Sequence, residues 1–154
     1  MHMGQSLTGV TWSPATGSAP LPKVNYEIQL EARRTVGNDF FCGLTFPYKD
    51  THASLVLGGW GGGVIGISCI DHYDASENDT TTYQKFELNR WYKIRLVVKD
   101  GSFKAWIDDE EAIDVDVSNC DIDVRAEVEL CKPLGLASFS TTAENRNIRI
   151  RNLP

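Results

Sequence analysis

Apolar and polar residues alternate along much of this chain, and a period of two is the signature of a half-buried β-strand. The first clear run puts Tyr26, Ile28, Leu30 and Ala32 on one face and Glu27, Gln29, Glu31 and Arg33 on the other. Val36-Gly37-Asn38-Asp39 reads as a turn and Phe40–Pro47 as the next strand, so the two strands are expected to form a hairpin. Further strands are expected at Ala53–Leu57, Val64–Ile70, Trp91–Lys99, Phe103–Ile107 and Glu111–Asp116. Three more follow at Glu127–Leu130, Leu136–Ser140 and Asn147–Leu153. Asp100-Gly101 carries a sharp hairpin signal, because such turns need positive φ, and Asp108-Asp109 is placed to close another. Helical periodicity is nearly absent. Many short strands separated by turn residues predict an all-β chain built as a two-sheet antiparallel sandwich.

Residues 4–22 are rich in Gly, Ser, Thr and Pro and read as an irregular lead-in, and Met1-His2-Met3 as a cloning remnant. The expected organisation is a lead-in over 1–23 and one sandwich domain over 24–154. Two long connections, Asp71–Tyr83 and Ser118–Arg125, interrupt the strand pattern, and long loops on a rigid sandwich are where binding residues concentrate.

Composition narrows the function more than the fold. Hydrophobic residues at 42% and charged residues at 23% are globular values and argue against disorder. A net charge of −6 argues against a nucleic-acid binder, which needs a basic face, and no apolar run is long enough to insert into a membrane. Neutral ligands such as carbohydrates fit that balance. Four cysteines match neither CxxC pairing nor zinc-ligand spacing. Alternation sets Cys42 beside Phe40, Leu44 and Phe46, and Cys69 beside Ile65 and Ile67, so both are expected in the core as buried thiols rather than a disulfide.

A family resemblance rests on six segments in order: DFFCGLTFP at 39–47, LGGWGGGVIGISCI at 57–70, DASENDT at 74–80, RWYKIR at 90–95, AWIDD at 105–109 and GLASFSTTAENRNIRIRNL at 135–153. Together they resemble the 3-keto-disaccharide hydrolase-type domain, a member of the concanavalin A-like, laminin G-like jelly rolls. The resemblance covers roughly residues 24–154 and implies a jelly-roll sandwich. Family enzymes often carry Asn-Ser-Gly after the second strand and His-Gly before the last. Here those places read Cys42-Gly43-Leu44 and Phe139-Ser140-Thr141-Thr142.

Two functions from different classes stay open. One is a non-catalytic glycan-binding or interaction module of a larger bacterial protein, in an exported, periplasmic or cell-surface setting rather than the cytoplasm. The ligand-binding residues would then be Trp60, whose flat indole suits sugar stacking, with Gly61 and Gly62, whose bare backbone lets a ligand approach. The other, implied by the resemblance, is an enzyme that eliminates or hydrolyses 3-keto-glycosides. It needs a base for the acidified C2 proton and an electrophile for the developing enolate. Glu31, Asp71 and Glu77 are candidate bases, and Arg33 and Arg95 candidate electrophiles. The oxygen-rich loop holding Asp71, Asp74 and Glu77 is the candidate site for a divalent cation, with calcium the best match. The competing reading of that loop is a solvated acidic turn with Asx-turns at Asp74 and Asn78.

Overall fold

A computed structural model describes residues 7–12 and 20–154. It is an all-β sandwich of two antiparallel sheets. Eleven strands appear among the described residues: β1 (Leu7–Thr11), β2 (Tyr26–Gly37), β3 (Cys42–Tyr48), β4 (Thr51–Gly59), β5 (Val64–Ser68), β6 (Thr82–Tyr83), β7 (Tyr92–Lys99), β8 (Ser102–Ile107), β9 (Glu110–Asp116), β10 (Gly135–Phe139) and β11 (Thr141–Asn152). Six form one sheet in the order β1-β10-β3-β4-β5-β6, and five form the other in the order β11-β2-β7-β8-β9.

The core lies between the sheets and is made by the inward parity of each strand. Tyr26, Ile28, Leu30 and Ala32 of β2 face Cys42, Leu44 and Phe46 of β3, together with Leu55, Leu57, Ile65 and Ile67 of the next two strands. Ile94, Leu96 and Val98 of β7, each fully buried, continue the five-stranded side, which Phe103, Ala105 and Ile107 of β8 and Ile113 of β9 extend. Phe103 meets Phe46 and Tyr48 edge-on, with ring centroids 5.3 and 4.8 Å apart, a favourable arrangement for opposed quadrupoles. Both predicted two-residue turns are present. Gly101 has φ +88°, and Asp108 and Asp109 have φ +50° and +67°.

Four expectations need correction. The stretch 26–33 and the stretch 40–47 are not a hairpin: β2 pairs with β11 and β7, while β3 lies in the other sheet beside β10 and β4. The four-residue link between them crosses the edge of the sandwich. The lead-in is not wholly irregular, because Leu7–Thr11 pairs with β10 and extends the six-stranded sheet; its residues 4–6 and 13–19 lie outside the described ones. The 127–130 stretch belongs to a short 3₁₀ helix, Ala126–Cys131. Finally, the alternation breaks at Phe40-Phe41. Phe41 enters the core and Phe40 lies outside it, while Cys69 is only half-buried where the chain leaves β5. No helix among the described residues is long and apolar enough to cross a membrane.

Candidate functional site: a groove on the six-stranded sheet

The glycine-rich hairpin between β4 and β5 forms one end of a groove on the outer face of the six-stranded sheet. Two of its glycines are sterically required. Gly58 has φ +83°, and a Cβ there would stand 2.5 Å from Nη2 of Arg34; Gly62 has φ +113°, and a Cβ there would stand 3.0 Å from the Asn38 carbonyl oxygen. Between them Trp60 sits at the tip with φ +46° and remains 43% exposed, so it is not a plug of the core. The hairpin is braced by Arg34, whose side chain continues the inward parity of β2 and is 4% exposed. Its Nη2 donates to the carbonyls of Asp39 at 2.7 Å, Gly58 at 3.1 Å and Gly62 at 3.2 Å. One nitrogen thereby ties the β2–β3 link to both arms of the Trp60 hairpin. Burial lowers the pKa of this guanidinium, and nearby Asp39 opposes that shift.

The groove encloses about 480 Å³, within the range of small-molecule sites. Its floor is made by outward residues of three central strands, Gly43, Ser54, Val56 and Ser68. Phe40 lies over Gly43, where a Cβ would come within 3.0 Å of the ring. Phe139 runs nearly parallel to Phe40, with centroids 6.2 Å apart and planes inclined by 22°. On the far side Arg125 stands over the Trp60 ring at 5.8 Å and pairs with Asp74 at 3.5 Å. Asp39 also lines the groove. Its Oδ1 accepts the Phe40 amide at 2.8 Å, and its own amide donates to Thr141 Oγ1 at 3.0 Å. Val128 of the 3₁₀ helix and Leu7 of β1 close the apolar side.

The sequence profile of the 3-keto-alpha-glucoside-1,2-lyase-like domain matches residues 8–151, nearly the whole chain. The chain belongs to that family. The 3-keto-alpha-glucoside-1,2-lyase-like domain described here is therefore a carbohydrate-related domain, as the segment resemblance implied. No curated protein matches it. Among solved structures, carbohydrate binding module CBM66 from Bacillus subtilis is similar with a TM-score of 0.52 and 15% identity, over 84% of this chain and 76% of that one. The galectin LEC-6 from Caenorhabditis elegans is similar with a TM-score of 0.52 and 9% identity, over 96% of this chain and 91% of that one. At such identities the likeness is one of fold, the jelly-roll sandwich.

The domain separates the residues singled out from sequence. Trp60 lines the groove, whereas Gly61 and Gly62, which follow it in the hairpin, are not among its lining residues. Glu31, Arg33 and Arg95 lie on the opposite outer face, that of the five-stranded sheet. There Arg146 donates to Glu31 at 2.6 Å and holds its carboxyl below the usual range. Arg33 donates to Glu144 at 2.8 Å and stands 4.6 Å over Trp91, while Arg95 donates to Glu27 and stands 4.4 Å over Trp106. Glu77 is exposed on the loop after β5, which packs on the six-stranded side. The core separates it from Glu31, Arg33 and Arg95.

Asp71, Asp74 and Glu77 do not converge. Asp71 accepts the Asp121 amide at 2.7 Å, and Asp74 forms an Asx-turn with Ser76 while pairing with Arg125. Asn78 forms the second expected Asx-turn, accepting the Thr80 amide at 2.9 Å. Among the described residues, no three His, Cys, Asp or Glu side chains gather in a metal-holding arrangement. Sequence reasoning missed Asp39, Phe40, Arg125 and Phe139 at the groove. It also missed Arg34, although a charged residue on the apolar parity of β2 was a legible signal.

Proposed function

We propose that this domain binds the glucoside unit of a 3-keto-glycoside in the groove between Trp60 and the outer face of the six-stranded sheet. The observation that carries the reading is a ring-walled cavity of about 480 Å³ with Trp60 held half-exposed at its rim and Arg125 and Asp39 beside it. The C–H faces of a pyranose stack on an indole, while its hydroxyls take hydrogen bonds from a small number of placed polar groups. The family's description supports a 3-keto-glucoside as the sugar, and the ring-lined groove with its few polar groups supports this place for it. The polar face of the other sheet fits less well, because Glu27, Glu31 and Glu144 there are engaged by arginines.

A second reading, elimination at the same site, is favoured by the presence of a carboxylate and a guanidinium in one groove. A ketone at C3 acidifies the C2 proton. Asp39 would accept that proton, Arg125 would stabilise the enolate oxygen, and the electron pair would then form the C1–C2 double bond as the C1 substituent leaves. The leaving oxygen takes a proton from the protonated base, and water then adds across C1–C2, its hydroxyl to C1 and a proton, passed through Asp39, to C2. The test is calorimetric titration and turnover of a 3-keto-glucoside with wild type, Asp39→Asn and Trp60→Ala. The expected result is that Trp60→Ala loses binding, whereas Asp39→Asn still binds and loses turnover. Undiminished binding by Trp60→Ala would overturn the groove reading, and undiminished turnover by Asp39→Asn would remove the elimination assignment.

A further inference from the structure

The outer face of the five-stranded sheet is basic, on a chain whose net charge is −6. Arg33, Lys93, Arg95, Arg146, Arg149 and Arg151 stand there on β2, β7 and β11, against the carboxylates of Glu27, Glu31 and Glu144. The strand register sets Arg149, Gln29, Arg95 and Trp106 in one row across four strands. Arg149 and Arg95 therefore flank Gln29 with their backbones two strand spacings, about 10 Å, apart. A trough follows this row. One part, of about 350 Å³, is lined by Gln29, Lys93, Arg95, Trp106, Asp109 and Arg151, with Glu27 beneath. The adjoining part, of about 220 Å³, shares Gln29 and Lys93 and adds Glu31, Asn147 and Arg149.

Glu27 anchors the trough. Its side chain is 1% exposed and accepts Nε of both Arg95 and Arg151, and Arg95 also stands over Trp106 at 4.4 Å. Both guanidiniums are thus held through Nε, and among the described residues their Nη groups make no hydrogen bond. Arg149 makes no ion pair among the described residues, and Lys93 reaches Asp109 at 3.9 Å. Cations gathered along one row repel, and an anion lying between them removes that repulsion.

A guanidinium with open Nη groups takes a carboxylate in a forked pair. The amides of Gln29 and Asn147 and the carboxylates of Glu31 and Asp109 suit hydroxyls placed between such charges. A nucleic-acid strand fits poorly. Trp91 and Trp106 lie under arginines, which leaves neither for base stacking, and the net charge opposes a dense polyanion. We propose that this trough is a second binding site, across the core from the Trp60 groove, and that it takes an acidic glycan bearing uronate carboxylates. The carboxylates would pair with Arg149 on one side of Gln29 and with Arg95 and Lys93 on the other.

The test titrates the whole chain, by calorimetry and by indole N–H signals, with an oligogalacturonate. A neutral oligogalactoside, a sulfated oligosaccharide and a single-stranded oligonucleotide of matched length serve as comparisons. The variants are Lys93→Gln/Arg149→Gln, Trp60→Ala and a charge-matched control, Lys99→Gln/Lys104→Gln, at two lysines of the same sheet that do not line the trough. Arg95 and Arg151 are left intact, since removing either leaves Glu27 short of a partner, and a thermal melt checks each variant. The expected result is saturable binding of the oligogalacturonate that weakens with salt and moves the Trp106 signal but not that of Trp60. The neutral oligogalactoside should not bind. Lys93→Gln/Arg149→Gln should lower affinity at least about tenfold, whereas the control and Trp60→Ala should bind nearly as wild type. Equal losses in the double variant and its control would reduce the effect to net charge and overturn the site, as would equal binding of the neutral ligand or loss of binding in Trp60→Ala. Tighter binding of the sulfated oligosaccharide or the oligonucleotide would overturn the uronate assignment, and an oligogalacturonate that does not bind would overturn the proposal as a whole.

Discussion

Replacing Arg34 with methionine removes the single nitrogen that joins the Asp39, Gly58 and Gly62 carbonyls. A hydrogen bond from a charged donor is worth about 1.5–3 kcal/mol, and a buried carbonyl left without a partner costs about 1–3 kcal/mol. The Gly58 bond is the fully buried one, and the other two are partly solvated, so water can replace part of their loss. Working the other way, Arg34 keeps its Nε buried without a partner, and methionine relieves that cost. The net expectation is a loss of about 2–4 kcal/mol, well inside the total of about 5–15 kcal/mol typical of a domain, so the variant should still fold. The melting temperature should fall by about 5–12 °C for a chain of this size. Arg34→Lys keeps the charge and has three N–H donors on one nitrogen, but its stem is shorter than that of arginine and its compact ammonium is costlier to desolvate, so it should recover less than half of the loss. The assay is urea and thermal unfolding, together with acrylamide quenching of tryptophan fluorescence in wild type and in a Trp60→Phe background. Loosening of the hairpin should raise quenching only where Trp60 is present. A stability change under about 0.5 kcal/mol with unchanged quenching would refute the bracing role.

Three further outcomes follow from the packing. Leu96→Ala should cost about 2–5 kcal/mol in chemical denaturation, because Leu96 is fully buried, whereas outward Lys93→Ala should stay within about 0.5 kcal/mol; equal costs would mean the facing of β7 is wrong. Burial alone would raise the pKa of Glu27, but hydrogen bonds from Arg95 and Arg151 outweigh it and hold the carboxyl below its ordinary value. Its stabilising contribution is therefore complete above the unfolded pKa of about 4.3 and is lost as pH falls through the lower folded value. Glu27→Gln should flatten that acid limb in denaturation curves taken at successive pH values, and an unchanged limb would count against it. Burial pushes the Cys42 thiol up to about 12, so alkylation of the native protein should reach half-exposed Cys120 before buried Cys42 and Cys131; labelling of Cys42 at the Cys120 rate would contradict the burial.

The sandwich was legible because each strand face is set by local alternation, and Tyr26 to Ala32 and Ile94 to Val98 fall inside as their parity requires. Pairing was less legible. Neighbouring strands joined by a short turn are expected to pair, yet Arg34 holds the β2–β3 link across the edge of the sandwich, and no local pattern encodes that crossing. The Phe40-Phe41 doublet hid a parity break, which sends one ring to the groove and the other to the core. Trp60 stood out as a bulky residue among glycines, a pattern that fits a cap on the core as well as an exposed platform, and its 43% exposure decides against the cap. Arg125 and Phe139 gave no such sign. Phe139 reaches the groove because β10 lies beside β3 within the six-stranded sheet, and Arg125 because the segment leading into the 3₁₀ helix lines that sheet's outer face.

The central claim is that the 3-keto-glucoside enters the groove beside Trp60 and not the polar face of the opposite sheet. The four tryptophans provide a direct reading, since Trp60 rims the groove while Trp91 and Trp106 lie under arginines on the other face. Indole N–H signals of ¹⁵N-labelled protein, followed by NMR during titration with a 3-keto-glucoside, separate the two faces in one experiment. The account predicts a saturable shift of the Trp60 signal with Trp91 and Trp106 unmoved. Movement of Trp91 or Trp106 with a stationary Trp60 would contradict it.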